Sequence, residues 1–323
     1  MKKLLFVFNP NAGKGAVKSN LFNIIDLFTK NDYEVTTYPT QERLDGYRMI
    51  LKNAGGYDLI VTSGGDGTLN ESIKGLMDGK HNVPIGYIPT GTTNDFAHSF
   101  EIPKNILKAA ENIITGTSFA YDVGSLNGEY FCYVAAFGAF TEVPYTTSQI
   151  TKNLFGHLAY LMEAVKHIKT MEAYNITVEH DGEAYRDDFL VGLISNTVSI
   201  CGLNNLVAKG VVLDDGLFEV TLIKMPNSPL ELNSIINCLL RKDLTSDHFY
   251  TFKSSKVKFI CEQEVAWTLD GENGGIHQIV EIINHKQALN IIVDNDDLFE
   301  LSEQGLPNQQ TNKDAPAKGK TKK

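Results

Sequence analysis

Gly64, Gly65 and Gly67 fall within four residues, enclose Asp66, and run into Thr68, Leu69, Asn70 and Glu71. Glycines so spaced make a sharp turn without side chains, in which main-chain N–H groups can wrap phosphate oxygens. Asp66 adds a carboxylate for a divalent cation or its waters. Thr68, Asn70 and Glu71 stand where a helix would begin, placed to cap it or to orient ligand oxygens. Taken alone, the run also reads as a glycine-rich turn closed by a capping aspartate.

Two further loops have related chemistry. Asn9, Pro10, Asn11, Ala12, Gly13 and Lys14, followed by Gly15, lie between an apolar run and a helical pattern. Such a strand-to-helix loop offers amides and a helix N-terminus to an anion. It lacks the spacing of a Walker A loop, and an ordinary turn would look similar. Residues 89–97 place three threonine hydroxyls, the Asn94 amide and the Asp95 carboxylate beside Gly91. These can form a polar ligand wall or an elaborate N-cap. The histidines form no HExxH pattern, and neither Ser63 nor Ser195 sits in a nucleophile elbow.

The elements that must position these loops alternate in type. Residues 4–8, 33–38, 58–62 and 84–88 read as strands; Leu21, Ile24, Ile25 and Phe28, then Tyr47, Ile50 and Leu51, mark helix faces between them. This alternation predicts a mostly parallel sheet covered by helices, with all three loops at the C-terminal edge of its strands. Near Tyr121 the pattern changes. Residues 130–136, 174–179, 185–194, 217–223, 256–260 and 276–283 are strand candidates, with turns at Asp181-Gly182 and Asp215-Gly216 and helices over about 152–169 and 229–240. We therefore expect two domains: an α/β nucleotide-binding domain over 1–122, completed by 286–300 through a returning strand at 288–293, and a mainly antiparallel, β-sandwich-like substrate and catalytic domain over 123–285. Residues 302–323, rich in Gln, Asn, Pro, Gly and Lys, read as a disordered tail.

Composition narrows the partners. With 29 Lys and Arg against 39 Asp and Glu, a formal charge of −10 in 323 residues, no global field favours a nucleic-acid backbone. Small phosphorylated ligands stay open, because local amides outweigh a distant net charge. The four cysteines lack metal-like spacing, and the simplest reading is a cytosolic, disulfide-free protein. No segment reaches the ~20 apolar residues needed to span a bilayer, so membrane contact would be peripheral.

Asn9-Pro10 with Gly13-Lys14, the run GGDGTLNE at 64–71, GTTNDFA at 91–97 and Leu269-Asp270-Gly271-Glu272 together resemble the bacterial diacylglycerol kinase-like lipid kinases, related to the catalytic domain of sphingosine and eukaryotic diacylglycerol kinases. GGDGT is shared with NAD kinases; GTTNDFA followed by LDGE is more specific, and the resemblance covers about residues 1–295. It implies ATP as phosphoryl donor and a diacylglycerol hydroxyl as acceptor, met at the inner face of the membrane; the oligomeric state is open, a homodimer included. It also implies that residues 9–14, Thr40, residues 64–71 and Thr92 bind nucleotide, that Glu272 is the general base, and that Asp66 and Asp270 organise catalytic Mg2+. Val212, Asp215 and Leu217 match the family's structural Mg2+ loop, with Asp215 as side-chain ligand and Val212 and Leu217 as carbonyl ligands. Many relatives carry Lys at the position of Val212, and Arg where this chain has His98. Residues 152–160 match a family helix near the substrate opening. Asp270-Gly271 can also be a plain β-turn with Glu272 a solvated charge, and NAD phosphorylation or nucleotide sensing without turnover are the alternatives.

Overall fold

The computed structural model describes residues 1–92, 94–138, 173–197, 199–200, 203–204, 211–241 and 243–294. Strands β1 (Lys2–Phe8), β2 (Tyr33–Pro39), β3 (Leu59–Gly64) and β4 (Ile85–Pro89) pair in parallel in the order β2-β1-β3-β4. β1 carries an apolar run over 4–8 and β3 one over 59–61, continued by the buried Thr62 and Ser63, because both sheet faces are covered. On one face lie α2 (Asp45–Asn53) and α3 (Asp66–Asp78), packed through Ile50, Ile73 and Leu76; on the other lie α1 (Ala16–Lys30) and α5 (Ile106–Thr115), packed through Ile24, Phe28 and Ile113. Between them, α4 (Asp95–Ser99) is a single short turn of helix after β4.

The second domain is antiparallel. Its strands are β5 (Thr117–Leu126), β6 (Glu129–Phe131), β7 (Val134–Gly138), β8 (Tyr174–His180), β9 (Glu183–Ser195), the short pair β10 (Ser199–Ile200) and β11 (Leu203–Asn204), β12 (Phe218–Lys224), β13 (Phe249–Ser254), β14 (Lys256–Leu269) and β15 (Glu272–Val293). The chain therefore has the expected class, an α/β domain joined to a mainly antiparallel β domain. β9 and β14 each change partner partway, pairing first with β8 and later with β7, so these four strands close a circuit. That circuit encloses an aromatic core of Phe137, Phe189, Phe259 and Trp267. Helix α6 (Pro229–Arg241) covers β9, β12 and β13 through Leu232, Ile235 and Ile236.

Several expected strands differ in extent. The strand over 130–136 is broken at Cys132 and Tyr133, whose amides turn to the Asp270 carboxylate instead of a neighbouring strand. The runs at 276–283 and 288–293 are one strand, β15, which passes from the β domain alongside β14 to the α/β sheet, where Ile291 pairs with both β4 and β5. β5, β13 and the short pair β10 and β11 were not expected; β5 buries Asp122, Gly124 and Ser125 among its apolar residues, and β13 reads Phe-Tyr-Thr-Phe-Lys-Ser, so neither has a clean apolar run or a strict alternation. The helix expected over 152–169 and the tail lie outside the described residues.

Candidate functional site

The three loops meet at the C-terminal ends of β1, β3 and β4. Asn9 N donates to Ser63 O at 2.9 Å, and Thr90 N and Gly91 N both donate to Gly64 O, at 2.8 and 3.1 Å. Gly65 and Gly91 touch backbone to backbone: a Cβ on Gly91 would stand 2.5 Å from Gly65 Cα and 2.6 Å from Asn94 Oδ1. Asn94 holds its loop by accepting from Gly91 N at 3.0 Å and donating to Gly91 O at 2.9 Å.

Beside this junction lies a cleft of about 640 Å³ with walls from both domains. Asn9, Asn11, Thr40, Gly65, Gly67, Thr68, Asn70 and Glu71 face it from the α/β side, and Leu269 and Glu272 from the β side. A Cβ on Gly67 would lie 3.8 Å from Glu272 Oε1, so the glycine-rich turn and the distant LDGE segment are direct neighbours. Glu272 is exposed, with Arg43 Nη2 3.8 Å from its Oε2.

Other expected site residues lie off the cleft wall. Pro10, Ala12, Gly13 and Lys14 form the turn leading to α1, with Gly13 against the Thr90 backbone and Lys14 exposed. Gly64 ends a buried strand, Leu69 points into the core, and Thr92 is exposed. Asp66 tucks beneath the second loop, beside the amides of Asn94, Asp95 and Phe96. Burial raises its pKa, and those amides partly offset the rise. Its Oδ1 is buried without a hydrogen bond, a hard oxygen suited to a cation carried in with phosphates, since Mg2+ commonly takes one or two carboxylates and completes its shell with phosphates and water. Among the described residues, no three His, Cys, Asp or Glu side chains converge on a metal position.

Asp270 is 8% exposed and fully engaged. Its carboxylate accepts from Asn70 Nδ2 (2.8 Å) and from the amides of Cys132 (2.6 Å), Tyr133 (2.9 Å) and Val134 (3.0 Å). Burial raises its pKa, against the pull of these donors. Glu71 likewise has a structural contact, accepting from Leu44 N at 2.8 Å; burial raises its pKa, with the Leu44 amide and Arg43 opposing.

In the loop ahead of β12, Asp215 Oδ1 accepts from Leu217 N at 2.9 Å and Oδ2 lies 3.7 Å from Lys253 Nζ. The main chain of Val212 is buried. Oxygen-only donors suit Mg2+, which would share Asp215 with Lys253. Asp122, absent from the sequence reading, fastens this loop to β15 by accepting from Gly216 N (2.6 Å) and Gln287 N (2.7 Å).

The sequence reading also missed the wall formed by Gln41, Arg43, Leu44, Lys74, Glu129 and Tyr130. Lys74 could have been found, since it lies one helical turn beyond Asn70 and Glu71 on α3. It pairs with Glu129 and lies 5.9 Å from the centre of the Tyr47 ring. Arg43 and Tyr130 carry no local signal; chain reversals bring them in.

The chain is similar to known proteins over most of its length. Residues 3–126 match the family model of the diacylglycerol kinase catalytic domain. A diacylglycerol kinase of Bacillus subtilis (strain 168) is 31% identical over 278 residues, spanning 85% of this chain and 91% of that protein. One from Staphylococcus carnosus (strain TM300) is 30% identical over 300 residues, spanning 91% and 96%. The solved structure of a diacylglycerol kinase from Bacillus anthracis str. Sterne has the same fold, with a TM-score of 0.72 at 22% identity over 91% of this chain and 97% of that one.

Proposed function

The chain belongs to the bacterial diacylglycerol kinase-like family of lipid kinases, and from that premise we propose that it transfers the γ-phosphoryl group of ATP to the free hydroxyl of diacylglycerol, giving phosphatidic acid and ADP. The observation that carries this reading is the juxtaposition of Gly67 and Glu272 across one cleft. A phosphate held by the glycine turn lies next to a carboxylate that can receive a proton.

Asn9, Asn11, Thr40, Gly65, Gly67 and Thr68 would hold the nucleotide, with the amides at the start of α3 turned toward its phosphates. Glu272 takes the proton of the lipid hydroxyl as that oxygen forms its bond to the γ-phosphorus and the bond to the β-phosphate oxygen breaks. Asp66 is the carboxylate that would hold Mg2+ brought in with the nucleotide, which would supply dispersal of phosphoryl charge. Val212 and Leu217 carbonyls with Asp215 would hold a second, structural Mg2+.

Among the described residues, no helix is long and apolar enough to cross a membrane. We take the enzyme to meet its lipid at the inner face of the bilayer as a peripheral protein. NAD phosphorylation is the competing reading, and the LDGE segment at the cleft favours the lipid. Radiolabelled ATP with diacylglycerol in mixed micelles should give labelled phosphatidic acid. NADP formed from NAD without labelled lipid, or bound ATP with no transfer to any lipid, would overturn the assignment. Glu272→Gln should lower kcat about 10²- to 10⁴-fold; near-normal turnover would remove Glu272 as the base.

A further inference from the structure

We propose that Asn70 and Asp270 form a positioning pair that sets Glu272 at the cleft and ties its placement to the nucleotide-binding turn; this rests on the reading of Glu272 as proton acceptor. Asp270 opens the two-residue turn between β14 and β15, in which Leu269 and Glu272 face each other in register. Asp270 and Gly271 have φ of 52° and 80°. Both lie in the left-handed region, as a two-residue hairpin turn requires, so little slack separates Asp270 from Glu272.

The anchor is built from three directions. The amides of Cys132 and Tyr133, in the gap between β6 and β7, and of Val134, the first residue of β7, converge on the carboxylate. The main chain of Asp270 donates to Val134 O at 2.8 Å, and its carbonyl accepts from Tyr133 Oη at 3.3 Å. The fourth donor to the carboxylate, Asn70 Nδ2, comes from α3, where Gly67 and Thr68 of the preceding turn line the cleft. Four donors to two oxygens fill the acceptor capacity of the group. Asp270 is therefore an occupied charged anchor, and its hydrogen bonds are of the strong, charge-assisted kind. Asn70 is the link by which the helix carrying the phosphate loop sets the hairpin carrying the base. A displacement of about 1 Å at such a group costs up to ~10²-fold in rate.

A double-mutant cycle tests the link. Asn70→Ala should lower kcat roughly tenfold to a hundredfold and leave the KM for ATP nearly unchanged. In a Glu272→Gln background the same change should have no further effect on kcat, because an absent base cannot be misplaced. An equal loss in both backgrounds, or a loss that appears in KM, would overturn the proposal and assign Asn70 to the nucleotide or to general stability. Asp270→Asn keeps the size of the side chain but loses acceptor capacity, and should give the same non-additivity if Asn70→Ala fails to fold. Glu272→Gln alone separates the two failures: normal turnover there defeats the base assignment whatever Asn70 does.

Discussion

Glu219 is 2% exposed, yet ionisable, with Lys253 Nζ 2.9 Å from its Oε1. Burial raises its pKa to about 7 from an ordinary 4.5, with Lys253 pulling it down and Asp215 pushing it up. Asp122 is pushed to about 6 by burial, against the Gln287 and Gly216 amides. For a carboxyl whose folded pKa is raised, the folded state binds more protons than the unfolded one in the interval between the two values, so stability falls as pH rises through it. For Glu219 that interval runs from about pH 4.5 to about 7, and the cost, fully present above it, is on the order of 3 kcal/mol. Urea midpoints measured across this range should fall with pH in the native protein, and Glu219→Gln should flatten the fall. An unchanged slope would mean that Glu219 is not the group that titrates.

Among the elements, the contact between the β3–α3 and β4–α4 loops is a close constraint on the cleft. Alanine at Gly91 would drive a methyl group into Gly65 Cα and Asn94 Oδ1, forcing the loops apart. We expect Gly91→Ala to cost about 1–3 kcal/mol in stability and to raise the KM for ATP more than it lowers kcat; thermal unfolding and steady-state kinetics read the two effects. The loop holding Asp215 makes a separate prediction. A Mg2+ ion bound there should raise Tm by mass action, by about 2.7 kcal/mol of stability when the ion is at a hundred times its Kd. Asp215→Asn should abolish that rise, and a Tm indifferent to Mg2+ and to chelators in the native protein would exclude the site. How much of these elements could be read in advance varied with their kind. β1 and β3 announce themselves by apolar runs over 4–8 and 59–61, whereas the split between β6 and β7 depends on a carboxylate 136 to 138 residues away and has no local sign.

At the scale of the whole molecule, β15 makes the two domains one sheet. Its first half pairs with β14 and its last residues with β4 and β5, so the α/β sheet loses part of its edge if the β domain opens. Ile291, fully buried where β15 meets β4 and β5, should therefore destabilise both domains when cut back to alanine, by about 2–5 kcal/mol. Calorimetry should show one transition, moved as a unit; two peaks with only one displaced would mean that the domains unfold separately. What the sequence by itself determined is local: glycines dense enough to wrap phosphate, apolar runs long enough for buried strands, and a motif set specific to one enzyme family. Each of these signals is read within a stretch of a few residues, where sterics and hydrophobic periodicity act. The tertiary structure alone decided that Glu272 stands beside Gly67, that Asp270 is an occupied anchor, that Asp66 turns beneath the second loop, and that Arg43 and Lys74 join the wall. Each of these depends on which strand the chain returns to, and that is settled by the burial and hydrogen bonding of the whole sheet.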